Sequence, residues 1–243
     1  MYIDTHCHFD MFKNPMEIIK SCEYQKIITI GMTNLPSHFE MGKKHVIDFK
    51  YVRLALGLHP LLAEKHSVDL VKFKNNIDNT SYIGEVGLDF SQEGIHSKEL
   101  QIESFEYVLK TIIGKKKLLS IHSRRAEKEV LELLVKYEVD AAIFHWYSGP
   151  ITILKTIIEN GYFFSVNTAM IDSKTGLKII SSIPINRILT ETDSPYISIN
   201  GIASKPEDVR SVVNFLAKLN HRSEQEMAKQ VAENFNELIK KIR

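Results

Sequence analysis

Cysteine is scarce in this chain. Cys7 and Cys22 are the only two in 243 residues, too few for a disulfide framework and in keeping with a reducing compartment. Charge of one sign is missing too: 31 Lys and Arg against 30 Asp and Glu leave a formal net charge of +1. There is thus no overall field for wrapping a long duplex, although a local basic patch would still hold phosphates. No run of about 18 apolar residues occurs, which excludes a spanning helix, and the first residues lack the basic and apolar regions of a secretory signal. No linker rich in Pro, Gly or Ser, low-complexity tract or shift in composition divides the chain. A single domain over residues 1–243 is expected, in the cytoplasm and off the membrane. With no heptad and no apolar stripe beyond what its helices must bury, a monomer is expected.

What is present is a monotonous alternation. A composition 44% hydrophobic and 25% charged is that of a globular protein with a sizeable core. Short apolar or β-branched runs read as strands at 2–5, 26–31, 51–57, 81–87, 117–122, 140–145, 162–166 and 187–192. Helical spacing separates them. Asn14-Pro15 opens the first helix, followed by Ser37–Phe49, His66–Ile77, about 97–113, Arg124–Tyr137, Ile151–Glu159 and a weaker stretch at 172–182. Asn160-Gly161 caps the sixth of these, and two further helices are expected at about 206–219 and 223–241. Eight such repeats in a chain near the usual ~250 residues predict an α/β fold, a (β/α)8 barrel with a parallel sheet. An open doubly wound sheet would want a Gly-rich turn after its first strand, where this chain has His6-Cys7-His8.

Barrel strands deliver the residues at their C-terminal ends to one mouth. In MYIDTHCHFD the first strand runs into His6 and His8, two apart and so on one face, with Cys7 turned away. Glu85 ends strand four, His122 strand five, His145 strand six and Asp193 strand eight. Taken singly, most have a plain structural reading: His122 and His145 as satisfied core histidines, Asp193 as a cap before Ser194-Pro195. Glu85 resists one, because a carboxylate in an Ile-Gly-x-Val-Gly-Leu setting costs several kcal/mol unless paired or metal-bound. Four imidazoles and two carboxylates in one mouth suit borderline divalent cations such as Zn²⁺, Mn²⁺ or Co²⁺. Six donors exceed what one tetrahedral site with an open position needs, so two ions are expected.

The segments DTHCHFD, GLHP, GEVGLDF, IHSR, FHWYSG and TETDSPY occur in that order from Tyr2 onward, and together they resemble the signatures of the TatD family of metal-dependent hydrolases. The resemblance implies a two-metal phosphodiesterase of the kind that trims DNA or RNA, with Mg²⁺ a further possible ion. It places His6, His8 and Asp193 on one ion, His122 and His145 on the other, and Glu85 between ions ~3.5–4 Å apart. Water activated by the pair would attack phosphorus, with Asp193 taking the proton. His59, after the third strand, would position the scissile phosphate or protonate the leaving oxygen; its plainer reading is a turn histidine before Pro60. Arg124 is the candidate phosphate clamp, since a guanidinium fork matches two phosphate oxygens; otherwise it is a helix-start arginine paired to Glu127 or Glu129. Trp146 and Tyr147 either stack a base or pack against the next helix. Lys115-Lys116-Lys117 lies at the opposite end of strand five and reads as a solvated turn.

The chain departs from the family pattern at Leu61, where a second histidine is usual, at Arg125 for Asp, at Trp146 for Cys, and in a shortened Ser204-Lys205-Pro206-Glu207 segment. All six expected ligands remain, and the changes fall where substrate would approach. IHSRRA, HWYSGP and FFSVNTAM are similar to the TatD-like subunit (QatD) of bacterial Qat antiphage defence systems, which implies an ATPase and a QueC-like enzyme as partners. The leading expectation is a phosphodiesterase or exonuclease on nucleic-acid ends or a nucleotide-like group. A C–N hydrolase on the same barrel and a metal-stabilised binding subunit are the alternatives. Amide hydrolases of this superfamily often bridge their ions with a modified lysine on strand four, where this chain has Glu85.

Overall fold

The computed structural model describes residues 1–243. Three parallel strands, β1 (Ile3–Cys7), β2 (Ile28–Gly31) and β3 (Val52–Leu54), form one ladder. Six more form the second: β4 (Leu56–Leu58), β5 (Tyr82–Gly87), β6 (Leu118–His122), β7 (Ala142–His145), β8 (Phe163–Val166) and β9 (Ile188–Thr190). The third strand of the sequence pattern is therefore split. Ala55 breaks it into β3 and β4, and the Ala55 N–H turns to the carbonyl of Gly31 at 2.8 Å. The strand also runs beyond the expected residue 57 to Leu58.

Side chains close the ring between β9 and β1. The Thr5 hydroxyl donates to the carbonyl of Thr190 (3.1 Å) and the Thr190 hydroxyl to that of Ile3 (2.5 Å). Buried Asp4 accepts from both the N–H (3.0 Å) and the hydroxyl (2.6 Å) of Thr192. The eightfold alternation thus builds the expected α/β barrel. Its strands are buried on both faces, as a helix-covered parallel sheet requires. At the mouth, Gly87 has φ +137°, and a Cβ there would lie 2.0 Å from the carbonyl oxygen of His122. Only glycine lets β5 run this close beside β6.

The helices wrap the outside: α1 (Pro15–Gln25), α2 (Pro36–Gly42), α3 (His66–Asn76), α4 (Lys98–Ile112), α5 (Glu127–Lys136), α6 (Ile151–Glu159), the short α7 (Thr168–Ile171) and α8 (Lys174–Ile180), α9 (Val209–Leu219) and α10 (Glu224–Lys241). In α9 the residues Val209, Val212, Val213 and Leu216 are all fully buried, the i, i+3, i+4, i+7 stripe of a helix lying on a sheet. Ser223 and Glu226 cap α10 reciprocally, each accepting from the other's N–H. Phe144, Tyr162 and Phe164 pack as tilted rings in the core, each buried aromatic stabilising by roughly 1.5–3 kcal/mol through the surface it removes from water.

Three helices differ from the sequence pattern. α2 stops at Gly42 and passes into a 3-10 turn, Lys43–His45, instead of reaching Phe49. The weak stretch at 172–182 shortens to α8, and the separate α7 precedes it, each started by a side-chain cap, Ser173 and Asn167. α5 begins at Glu127, not Arg124, because Arg125 adopts φ +58° and no helix continues through a left-handed residue. A hairpin, β10 (Ser198–Ile199) and β11 (Ile202–Ala203), was not expected; its turn is Asn200-Gly201, both at positive φ, a pairing that favours two-residue hairpins. No helix is long and apolar enough to cross a membrane.

Candidate metal centre

The C-terminal ends of β1, β5, β6 and β7 and the turn after β9 bring His6, His8, Glu85, His122, His145 and Asp193 together. Glu85 is 3% exposed and stands at the middle. Its two oxygens face different neighbours. Oε2 lies 3.2 Å from His8 Nε2, 3.5 Å from His6 Nε2 and 3.3 Å from His59 Nε2. Oε1 lies 2.6 Å from His122 Nδ1 and 2.8 Å from His145 Nε2.

Around Oε2 the spacing is that of a ligand cage. His6 Nε2 and His8 Nε2 are 3.1 Å apart, and Asp193 Oδ1 is 3.7 Å from each. Donors bound at 2.0–2.2 Å to one tetrahedral ion stand roughly 3.3–3.6 Å from one another, and these distances bracket that value. Three sets of donor atoms fall within 4.8 Å of one another: His6, His8 and Asp193; His6, Glu85 and His145; His59, Glu85 and His122. The residues therefore fit a metal ion. Around Oε1 the histidines are instead drawn in to hydrogen-bond distance, too close to admit an ion between nitrogen and oxygen without a small outward shift.

Two of the rings are steered from behind. Ser120 Oγ is 2.8 Å from His6 Nδ1. His122 Nε2 donates to Asp89 Oδ2 at 2.8 Å, the carboxylate–histidine pairing that fixes ring orientation in metal sites. Fully buried Glu191 lies 3.8 Å from His145 Nδ1, and it accepts from the N–H of Trp146 (3.0 Å), from Asn167 Nδ2 (2.8 Å) and from the Ser165 hydroxyl. His8 Nδ1 and His145 Nδ1 are buried with no hydrogen-bond partner. Asp193 sits at φ +46°, its N–H donating to the carbonyl of His6 (2.9 Å), so the turn aims its carboxylate at His6 and His8 and not at a helix start.

Burial and mutual charge set the protonation of these groups. Burial, and then the neighbouring His145, hold His6 well below the usual histidine range, and burial lowers His59. Burial also opposes charge on His8, His122 and His145, yet carboxylates outweigh it and all three rise, Glu85 acting on each of them. Glu85 itself is held well below the usual carboxylate range, because His59, His145 and His122 overcome its burial. Asp193 is pushed up to about 7 by burial, against the pull of His145 and His8.

Four of the donors, Glu85, His122, His145 and Asp193, line a cavity of about 660 Å³ that also includes His59, Arg124, Trp146 and Tyr196. His59 Nδ1 accepts the N–H of Leu61 (3.2 Å), which leaves the neutral ring's proton on Nε2, 3.3 Å from Glu85 Oε2. Arg124 pairs with Glu93 across the mouth at 3.5 Å, not with Glu127 or Glu129. Trp146 and Tyr147 part company: Trp146 faces the cavity, whereas Tyr147 is 1% exposed and donates its hydroxyl to the carbonyl of Pro150. The lysine run lies in an exposed turn, as expected, and its side chains find partners there. Lys115 pairs with Asp78, Lys117 Nζ donates to the carbonyls of Ile77 and Thr80, and Lys116 reaches the C-terminal residue.

Sequence reasoning missed Asp4, Asp89, Ser120 and Glu191. Asp89 had a visible signal, an acid two residues beyond the glycine that ends β5, and Glu191 a weaker one, a second acid in TETDSPY.

Residues 3–240 match the family described as TatD related DNase. The chain is 29% identical over 252 residues to an uncharacterized metal-dependent hydrolase of Methanocaldococcus jannaschii, covering 99% of this chain and 97% of that one. It is 24% identical over 261 residues to the deoxyribonuclease TATDN3 of Homo sapiens, covering 99% and 95%. The crystal structure of YJJV, a TatD homolog from Escherichia coli, superposes with a TM-score of 0.87 at 24% identity, covering 98% of this chain and 97% of that one.

Proposed function

The chain belongs to the TatD family of metal-dependent hydrolases, and we propose that it cleaves phosphodiester bonds at nucleic-acid ends or in a nucleotide-like group, using two divalent ions. The observation that carries the proposal is the division of Glu85, one oxygen turned to His6 and His8, which Asp193 also faces, and the other to His122 and His145. A carboxylate so placed would hold a cation with each oxygen. When bound, such ions supply an activated water and neutralise charge developing on the phosphate.

The chain's own residues do the rest. Asp193, its carboxyl raised to about 7 by burial, takes a proton near neutral pH. His59 presents Nε2–H to a phosphate oxygen or to the leaving oxygen. Arg124, freed from Glu93, offers its fork to the phosphate. The naming of the human relative as a deoxyribonuclease supports this substrate class. The similarity of IHSRRA, HWYSGP and FFSVNTAM to QatD supports a place in an antiphage defence complex with an ATPase and a QueC-like enzyme, in the cytoplasm. Co-purification with those two proteins tests that assignment.

The activity is tested with metal-loaded protein on end-labelled single-stranded DNA and RNA, beside a panel of cyclic and linear amides. Cleavage of either nucleic acid with Mg²⁺, Mn²⁺ or Zn²⁺ is expected. Amide hydrolysis with intact nucleic acid would transfer the site to C–N chemistry.

A further inference from the structure

We propose that Trp146 is a base platform: one nucleobase of the substrate stacks on its indole while the adjoining phosphate meets the donors around Glu85. This rests on the phosphodiesterase reading above and adds to it a substrate class, a short nucleotide end or a single nucleotide. Trp146 is 37% exposed between two neighbours that are not, His145 at 7% and Tyr147 at 1%. Its backbone holds φ +37°, a left-handed conformation that bulky side chains rarely adopt. The N–H bond to buried Glu191 at 3.0 Å pins that conformation, so the chain spends conformational energy to turn this one ring outward. No aromatic ring of the chain packs against it, and it directly follows His145, whose Nε2 is 2.8 Å from Glu85.

The rest of the cavity fits the same ligand. Leu61, Leu62 and Tyr196 supply its other apolar surface, and Arg124 is its only lysine or arginine, already paired with Glu93. A cavity of about 660 Å³ suits a nucleotide-sized ligand. With one basic side chain in the lining there is no track for a long backbone, so the base-dependent part of the affinity must come from stacking, which any base provides.

The chain has a single tryptophan, so its fluorescence reports on this ring alone. Thymidine 5′-monophosphate added to the Zn²⁺-loaded full-length protein is expected to quench it saturably, and ribose 5-phosphate to leave it unchanged. By calorimetry, Trp146→Ala should weaken thymidine monophosphate binding roughly 5- to 150-fold, the range for loss of one base–aromatic stack. Trp146→Phe should keep most of the affinity, and ribose 5-phosphate should bind all three proteins alike. Absence of quenching, equal quenching by both ligands, or unchanged affinity in Trp146→Ala overturns the proposal. Quenching by the nucleotide in a protein that cleaves no phosphodiester would sustain the platform and refute the reaction; cleavage without quenching would do the reverse.

Discussion

Asp89 Oδ2 lies 2.8 Å from Nε2 of His122, on the side of the ring away from Glu85. The imidazole is thereby clamped between two carboxylates, and although burial works to raise it, the Asp89 carboxyl is held down to about 2 chiefly by that histidine. Asp89 also accepts the N–H of Ser91 at 2.8 Å, which fixes its own rotamer.

Replacing Asp89 by Asn keeps the shape and removes the charge. Loss of such a supporting carboxylate typically costs 10–100-fold in metal affinity or activity. The expected outcome is a fall of about that size in Zn²⁺ affinity, with the far-UV circular dichroism unchanged. Wild-type affinity in Asp89→Asn would remove His122 orientation from the account.

Glu191 joins three strand ends, accepting from Ser165, Asn167 and Trp146. Glu191→Gln turns an amide toward buried donors, leaving at least one of them unpaired at about 1–3 kcal/mol. A lower midpoint in urea denaturation is expected, together with altered Trp146 emission. Emission identical to wild type would mean that Glu191 does not set the position of the ring.

The outline of both fold and site is legible in the sequence because period and position carry it. Strand runs such as DAAIFH and YFFSV are short and apolar, and metal-seeking residues stand at their C-terminal ends. The supporting residues are illegible for a physical reason: Asp89, Ser120 and Glu191 act across strands, on rings 33 to 114 positions away in sequence, and Asp4 acts on Thr192, 188 positions away, and nothing local distinguishes them from caps or turn acids. The break at Ala55 is equally hidden, since YVRLALG alternates without interruption. Trp146 and Tyr147 are neighbours of one chemical class, and only the backbone turn at Trp146 separates mouth from core.

His66 is 2% exposed, and its Nε2 donates to the carbonyl of His59 at 3.0 Å. Burial holds it down to about 4, below its unfolded value of about 6.5. The unfolded chain therefore binds more protons between those values, and stability is present above pH 6.5 and lost as pH falls toward 4, by at most about 3 kcal/mol. His66→Gln keeps a donor without the titration. In metal-free protein, the urea midpoint of the wild type should drop more from pH 7 to pH 5 than that of His66→Gln; equal drops would contradict this.

Arg124 makes only a half-exposed contact with Glu93 in the free chain, 3.5 Å long, a class of pair worth about 0–1 kcal/mol. Displacing it costs little, so a phosphate should capture the guanidinium. Arg124→Ala is expected to raise KM for a dinucleotide about tenfold or more, as for a lost charged hydrogen bond, with kcat less affected. A change confined to kcat would assign Arg124 to the chemical step instead.

Whether Glu85 joins two donor groups into one two-ion centre is decided by the metal content of protein stripped with chelator, reloaded with Zn²⁺ and desalted, for wild type and Glu85→Gln. Two ions per chain are predicted for the wild type and at most one for a folded Glu85→Gln. A variant that retains two, or a wild type that holds only one, would contradict the account.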